Sequence, residues 1–140
     1  MKPVDPEIVS LLHEWIEKAG ADLEAAEQLA PIVSDSARLR EIVGFHCQQT
    51  VEKYLKALLT FYQIEFPKTH ELERLLTLVG TANPEAADAL RKTKWLGPFA
   101  VDVRYPGDAA EMLPGDEDRA IALALLARDV VRRILYADER

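Results

Sequence analysis

The sequence of 140 residues has a single cysteine, Cys47, so no disulfide can form within one chain. It also lacks an apolar run long enough to cross a bilayer, and its first residues lack the apolar core of a signal peptide. These absences predict a cytoplasmic protein without a membrane segment. The length is typical of one domain, so we expect residues 1–140 to form a single folded unit.

The chain carries a net charge of −7, which argues against a general binder of polyanions. The charge is unevenly distributed. Residues 1–37 contain two basic and eight acidic residues, whereas residues 38–104 contain ten basic and eight acidic residues. We therefore expect any anionic ligand to contact the middle of the chain.

Helical signals account for most of the chain, and the sequence offers no credible pair of strands. We expect five helices: one that begins at Asp5 and Pro6, one from about Ser36 to Tyr62, one that Thr69 caps and that ends near Gly80, a short one that begins at Asn83, and one over "DEDRAIALALLARDVVRRILYADER". Residues 95–115 contain three prolines and three glycines, so they cannot form one continuous helix. The pattern predicts an all-α, up-and-down bundle of about five helices.

The second helix, with "GFHCQQTVEKYLKAL", concentrates polar side chains. On a helical wheel it has two faces. The apolar face, expected in the core, holds Val43, Cys47, Val51, Tyr54, Leu58 and Phe61. The polar face, expected in solvent, holds His46, Gln49, Lys53, Lys56 and Thr60. Gln48 falls on the apolar edge, so we expect it to be buried and to tie neighbouring helices or a partner subunit together through hydrogen bonds.

A metal site at His46 and Cys47 is an alternative interpretation of the same helix. Adjacent residues point about 100° apart on a helix, so the two side chains cannot easily share an ion. The chain has three histidines and one cysteine, without an HxxxH or CxxC spacing. We expect a core cysteine beside a solvated histidine, and no metal or other cofactor.

Four blocks in order carry a resemblance to a known family. They are "WIEKAGADLEAAEQL", "FHCQQTVEKYLKALL", "PKTHELERLL" and "VRYPG", and together they resemble the HEPN family of small prokaryotic helical proteins. The resemblance covers essentially the whole chain and implies a helical bundle that forms a homodimer. It also implies a nucleotide or RNA ligand, and a minimal nucleotidyltransferase as partner in a toxin–antitoxin-like pair.

Many HEPN toxins are metal-independent ribonucleases, and their signature is an arginine followed, after four to six residues, by a histidine. Such a histidine can transfer a proton, while the arginine stabilises the charge on the phosphate. The matching arginine here is Arg104, but the signature positions hold Ala109, Ala110 and Glu111, and no histidine follows His70. We therefore do not expect the standard ribonuclease activity.

The resemblance and the charge pattern lead to one main hypothesis and two alternatives. In the main hypothesis the protein binds nucleotide or RNA phosphate, through Arg104, Tyr105, Lys53, Lys56 and Gln49. In the first alternative it is a divergent RNA endonuclease toxin in which Arg104 works with His46 or His70. In the second it is a non-catalytic, dimeric interaction module, in which Arg104 is a turn residue. Outside the enzyme alternative, we expect His70 to be a first-turn residue whose ring bonds local backbone.

Overall fold

The computed structural model describes residues 5–100 and 111–137, and it is built from helices. The α-helices are α1 (Pro6–Leu29), α2 (Ala37–Phe61), α3 (Leu72–Ala82), α4 (Pro84–Ala89) and α5 (Asp116–Leu135). Short 3-10 helices cover Ala30–Ile32 and Arg91–Phe99. These two described ranges contain no strand, which confirms the predicted all-α fold. Within them, no helix combines the length and the apolar character that crossing a membrane requires.

Three helices begin where the sequence predicts. The side-chain oxygens of Asp5, Ser36 and Asn83 each accept a hydrogen bond from a backbone N–H in the first turn of α1, α2 and α4. The distances are 2.8, 3.2 and 3.0 Å. Each bond satisfies a donor that the start of a helix leaves without a partner, which stabilises the boundary.

The predicted start of α3 is wrong, whereas its predicted end near Gly80 is confirmed. The hydroxyl of Thr69 accepts the N–H of Glu71 at 3.1 Å, but this closes a local turn, and Glu71 itself is the N-cap. The helix ends at Ala82, because the proline that follows Asn83 keeps Asn83 out of the helical conformation, at φ −146° and ψ 85°.

The second helix is the centre of the bundle, because α1, α3, α5 and the 3-10 helix Arg91–Phe99 all pack against it. Its predicted apolar face is buried from Val43 to Leu58. The predicted solvated face is wrong in its second half, since Lys56 and Thr60 are both buried. A helical wheel displays the faces of one helix by itself, so it cannot show that neighbouring segments also cover the polar face.

A buried ion pair joins the start of α2 to the start of α5. Arg40 donates to the carboxylate of Glu117 at 3.0 Å and to the backbone carbonyl of Ser34 at 2.8 Å. Burial by itself would raise the pKa of Glu117, but hydrogen bonds from its own backbone N–H, from Arg40 and from the N–H of Gly115 lower it overall. The pair is therefore most stable with the carboxylate ionised.

Candidate functional site

Two polar clusters on α2 have the same three groups at their centre, a carboxylate that bonds both a histidine and a lysine. We call the first the Asp22 cluster (Asp22, His46, Lys53) and the second the Glu52 cluster (Glu52, Lys56, His70, Gln48, Gln49). The first lies between α1 and α2, and the second lies between α2 and the segment that precedes α3. Together they include every described side chain that the sequence proposed for catalysis or ligand binding.

The Asp22 cluster joins two helices. One carboxylate oxygen of Asp22 bonds Nδ1 of His46 at 2.9 Å, and the other accepts from the ammonium of Lys53. The imidazole also contacts the ring of Phe45 edge-on, with 5.5 Å between the centroids. His46 and Lys53 are therefore partly buried rather than solvated, because α1 supplies a carboxylate that the wheel of α2 could not reveal.

The Glu52 cluster is more deeply buried. Its carboxylate is almost fully covered; Oε2 accepts from the ammonium of Lys56 at 2.9 Å, and Oε1 accepts from the amide of Gln48 at 3.3 Å. The same amide donates to the backbone carbonyl of His70 at 3.1 Å. The prediction of a buried, hydrogen-bonded Gln48 is confirmed, and the residue ties α2 to the segment before α3.

The ring of His70 belongs to this cluster. Its Nδ1 donates to Oε1 of Glu52 at 2.9 Å, so the predicted bond to local backbone is wrong. A carboxylate from the central helix reaches the ring first, across 18 residues of sequence. The side chain is nevertheless 68% exposed, and Nε2 has no hydrogen-bond partner among the described residues. This nitrogen is the part of the cluster that a ligand can reach.

An open groove of about 320 Å³ borders His70. It is lined by His70, Glu71, Leu72, Glu73, Lys94, Gly97 and Ala100. The ammonium of Lys94 lies 3.7 Å from the carboxylate of Glu73, and both side chains are exposed. Such surface pairs are weak, so Lys94 is free to exchange its partner for a ligand.

The remaining candidate residues for ligand binding are engaged within the chain. The amide of Gln49 donates to Oε1 of Gln48 at 2.7 Å. The ammonium of Lys56, besides its ion pair, lies 5.5 Å from the centroid of the Trp15 ring. A role of Lys53, Lys56 and Gln49 in phosphate binding stays a prediction. Arg104 and Tyr105 lie outside the described residues.

The thiol of Cys47 is fully buried, as predicted. Its pKa is raised to about 12, mainly by burial and further by the carboxylates of Glu27 and Asp22. The group is therefore a thiol at neutral pH, whereas nucleophilic attack and metal binding need the thiolate. Across the described part of the chain, no three metal-binding side chains come together.

Sequence reasoning missed the two carboxylates that organise the clusters. For one of them a signal was present. Gln48, Glu52 and Lys56 follow each other at spacings of four residues, so they share one side of a helix and can form hydrogen bonds and ion pairs. For Asp22 no comparable signal exists, because its partners come from another helix.

The chain is thus a small helical protein with a buried polar network on its central helix. Among known protein families, the HEPN domain matches residues 12–136. This match spans most of the chain, which therefore belongs to the HEPN domain family. Family membership supports a role connected with nucleotides or RNA. No curated protein and no solved structure matches the chain.

Proposed function

We propose that this protein binds the phosphate of a nucleotide or of RNA without cleaving it, as one component of a toxin–antitoxin-like pair with a minimal nucleotidyltransferase. The HEPN match over residues 12–136 is the observation that carries the proposal. The sequence supports the non-catalytic part, because Ala109, Ala110 and Glu111 stand where the signature histidine would follow Arg104.

Arg104 is the proposed phosphate-contacting residue, with Tyr105 beside it. Arg104 follows Ala100, which lines the groove at His70, by four residues. Lys94, which lines the same groove, supplies a second positive charge.

The test is binding of a short single-stranded RNA to wild type and to Arg104→Ala. A hydrogen bond to a charged group contributes about 1.5–3 kcal/mol, so the affinity should fall about tenfold or more. Added salt should also weaken binding by wild type. Arg38→Ala, at an exposed arginine of α2, is the matched control and should bind as wild type does. The RNA should remain intact throughout.

Two results would contradict this proposal. If wild type binds no RNA and Arg104→Ala unfolds the protein, Arg104 is structural, and the protein is an interaction module. If wild type cleaves the RNA, the protein is an enzyme.

One observation favours a particular form of the enzyme. Of the two candidate histidines, His70 has an exposed ring whose Nδ1 is fixed by Glu52, whereas His46 is partly buried beneath α1. A divergent endonuclease would therefore use Arg104 with His70. Cleavage that is lost in both Arg104→Ala and His70→Gln would establish this alternative, provided that His46→Gln retains it.

We further propose that the protein is a homodimer. Several large apolar side chains are exposed, among them Leu11 and Ile32 near the two ends of the first helical segment. A dimer interface would remove such side chains from water. Light scattering at micromolar concentration should give twice the 15.7 kDa of one chain, and a monomer mass would disprove the dimer. Co-purification with a nucleotidyltransferase encoded next to this gene would test the partner.

A further inference from the structure

We infer that His70, oriented by Glu52, is a phosphate-contacting residue that works together with Lys94, and that its protonated ring binds the phosphate. This inference rests on the proposed phosphate binding and names residues of its site. In the bound state, the ring would donate Nδ1–H to Glu52 and Nε2–H to a phosphate oxygen. An imidazolium has both donors, whereas a neutral imidazole has one.

The residue that carries this exposed ring is held in place at two points. Its Nδ1 is bonded to Glu52 at 2.9 Å, and the backbone carbonyl of the same residue accepts from Gln48 at 3.1 Å. Glu52 is itself immobile, because Lys56 and Gln48 bond its two oxygens inside the protein. A surface side chain normally loses rotational freedom when it binds a ligand, but here most of that loss has already occurred on folding.

Glu52 does not need the histidine to balance its charge. The ammonium of Lys56 already neutralises the carboxylate at 2.9 Å, and Gln48 supplies a further donor. A contact made only to satisfy this buried carboxylate would be redundant. The bond instead sets the tautomer and the direction of the ring, as an orienting carboxylate does for histidines that bind ligands or transfer protons.

Most of the charges that face His70 compensate each other in pairs. Glu52 and Lys56 of α2 compensate each other, and Glu73 of α3 is paired with Lys94 of the 3-10 helix. Glu71 is the remaining carboxylate in the lining of the groove. A protonated His70 balances that charge.

A phosphate would then meet two cationic groups, because Lys94 can turn from Glu73 to the ligand. The carboxylate of Glu73, whose side chain is 78% exposed, is then left to solvent. The first turn of α3 lines the same groove, and its backbone N–H groups also favour an anion.

The experiment measures, by calorimetry at one pH, the affinity for a short single-stranded RNA without a terminal phosphate, so that every phosphate carries one charge. His70→Gln removes one charge-assisted hydrogen bond to the phosphate, so the affinity should fall about tenfold or more. His13→Gln, at an exposed histidine of α1, should bind as wild type does.

Adenosine, which has no phosphate, should show no effect of His70→Gln. The imidazole C–H signals of wild type give a readout that does not depend on how the variant folds. The signal of His70 should shift when RNA is added, and the signal of His13 should not.

The outcomes separate this inference from the proposed function. If RNA binds and Arg104→Ala weakens it, while His70→Gln binds as wild type does, phosphate binding stands and the inference is wrong. The inference is also wrong if RNA shifts other signals of wild type but leaves the ring of His70 unchanged. If wild type binds no RNA, the proposed function fails, and this inference fails with it.

Discussion

The Asp22 cluster and the Glu52 cluster contain the same three groups, and they differ in what surrounds the histidine. In both, Nδ1 of a histidine lies 2.9 Å from a carboxylate oxygen, and a lysine bonds the other oxygen. The side chain of His46 is 27% exposed, whereas that of His70 is 68% exposed. The same chemistry therefore locks two helices together in one place and presents an oriented ring to solvent in the other.

The carboxylates and lysines show the opposite trend. Glu52 and Lys56 have side chains that are 4% and 9% exposed, compared with 13% for Asp22 and 21% for Lys53. The cluster with the more exposed histidine thus has the more deeply buried ion pair. The buried pair therefore contributes stability, while the exposed ring is available for another role.

The largest expected effect is that of Glu52→Ala. The substitution leaves the ammonium of Lys56 buried without its counter-charge, which costs about 3–5 kcal/mol. Asp22→Ala should cost only about 1 kcal/mol, because Lys53 is partly exposed and water can replace the lost partner. The measurement is the free energy of unfolding in urea. Equal losses in the two variants would show that burial does not distinguish the clusters.

Gln48→Leu should have the next largest effect, although it adds apolar surface. The backbone carbonyl of His70 and the carboxylate of Glu52 would each lose a donor inside the protein, at a cost of about 1–3 kcal/mol. Gln49→Leu, at the partly buried neighbour, is the control and should cost less. A melting temperature of Gln48→Leu equal to or above that of wild type would place Gln48 outside any network that matters for stability.

The Arg40–Glu117 ion pair contains no histidine, so it serves as a reference for the two clusters. Its pKa in the folded protein is lowered from the ordinary 4.5, so the unfolded chain takes up the proton first as the pH falls. The stability that this pair contributes is complete above the ordinary value and is lost as the pH falls through the lower, folded value. The loss should be about 1 kcal/mol, the net contribution of one hydrogen bond.

Urea unfolding as the pH falls below about 5 measures this effect, and Glu117→Gln should reduce the dependence on pH. Near neutral pH the contribution of the Arg40–Glu117 pair to stability should stay constant, because the pair contains no histidine. If wild type instead gains stability as the pH falls below about 5, the pKa of Glu117 is not lowered in the folded protein.

The fold could be predicted from the sequence because its signals are local. Asp5, Ser36 and Asn83 cap the helices that follow them, and the apolar spacing from Val43 to Leu58 marks the buried face of α2. The polar clusters could not be predicted as well, because they depend on which helices meet. Nothing near His46 in the sequence indicates that Asp22 will reach it.

The smallest expected effect is that of His70→Gln on stability. The side chain is largely exposed, Lys56 continues to neutralise Glu52, and Gln48 bonds the backbone carbonyl of residue 70, which any substitution retains. The loss should be below about 0.5 kcal/mol, as for most surface substitutions. His46→Gln should cost more, because it removes a partner of Asp22 between two packed helices.

Histidine-selective acylation by diethylpyrocarbonate gives an independent measure of the same contrast, since it needs access to a ring nitrogen. The ring of His70 should react faster than the ring of His46, in proportion to their exposure. If His70→Gln instead lowers stability as much as Glu52→Ala does, the ring is part of the structural lock. The two clusters would then be equivalent, and the exposure of Nε2 would no longer indicate that His70 has a role besides stability.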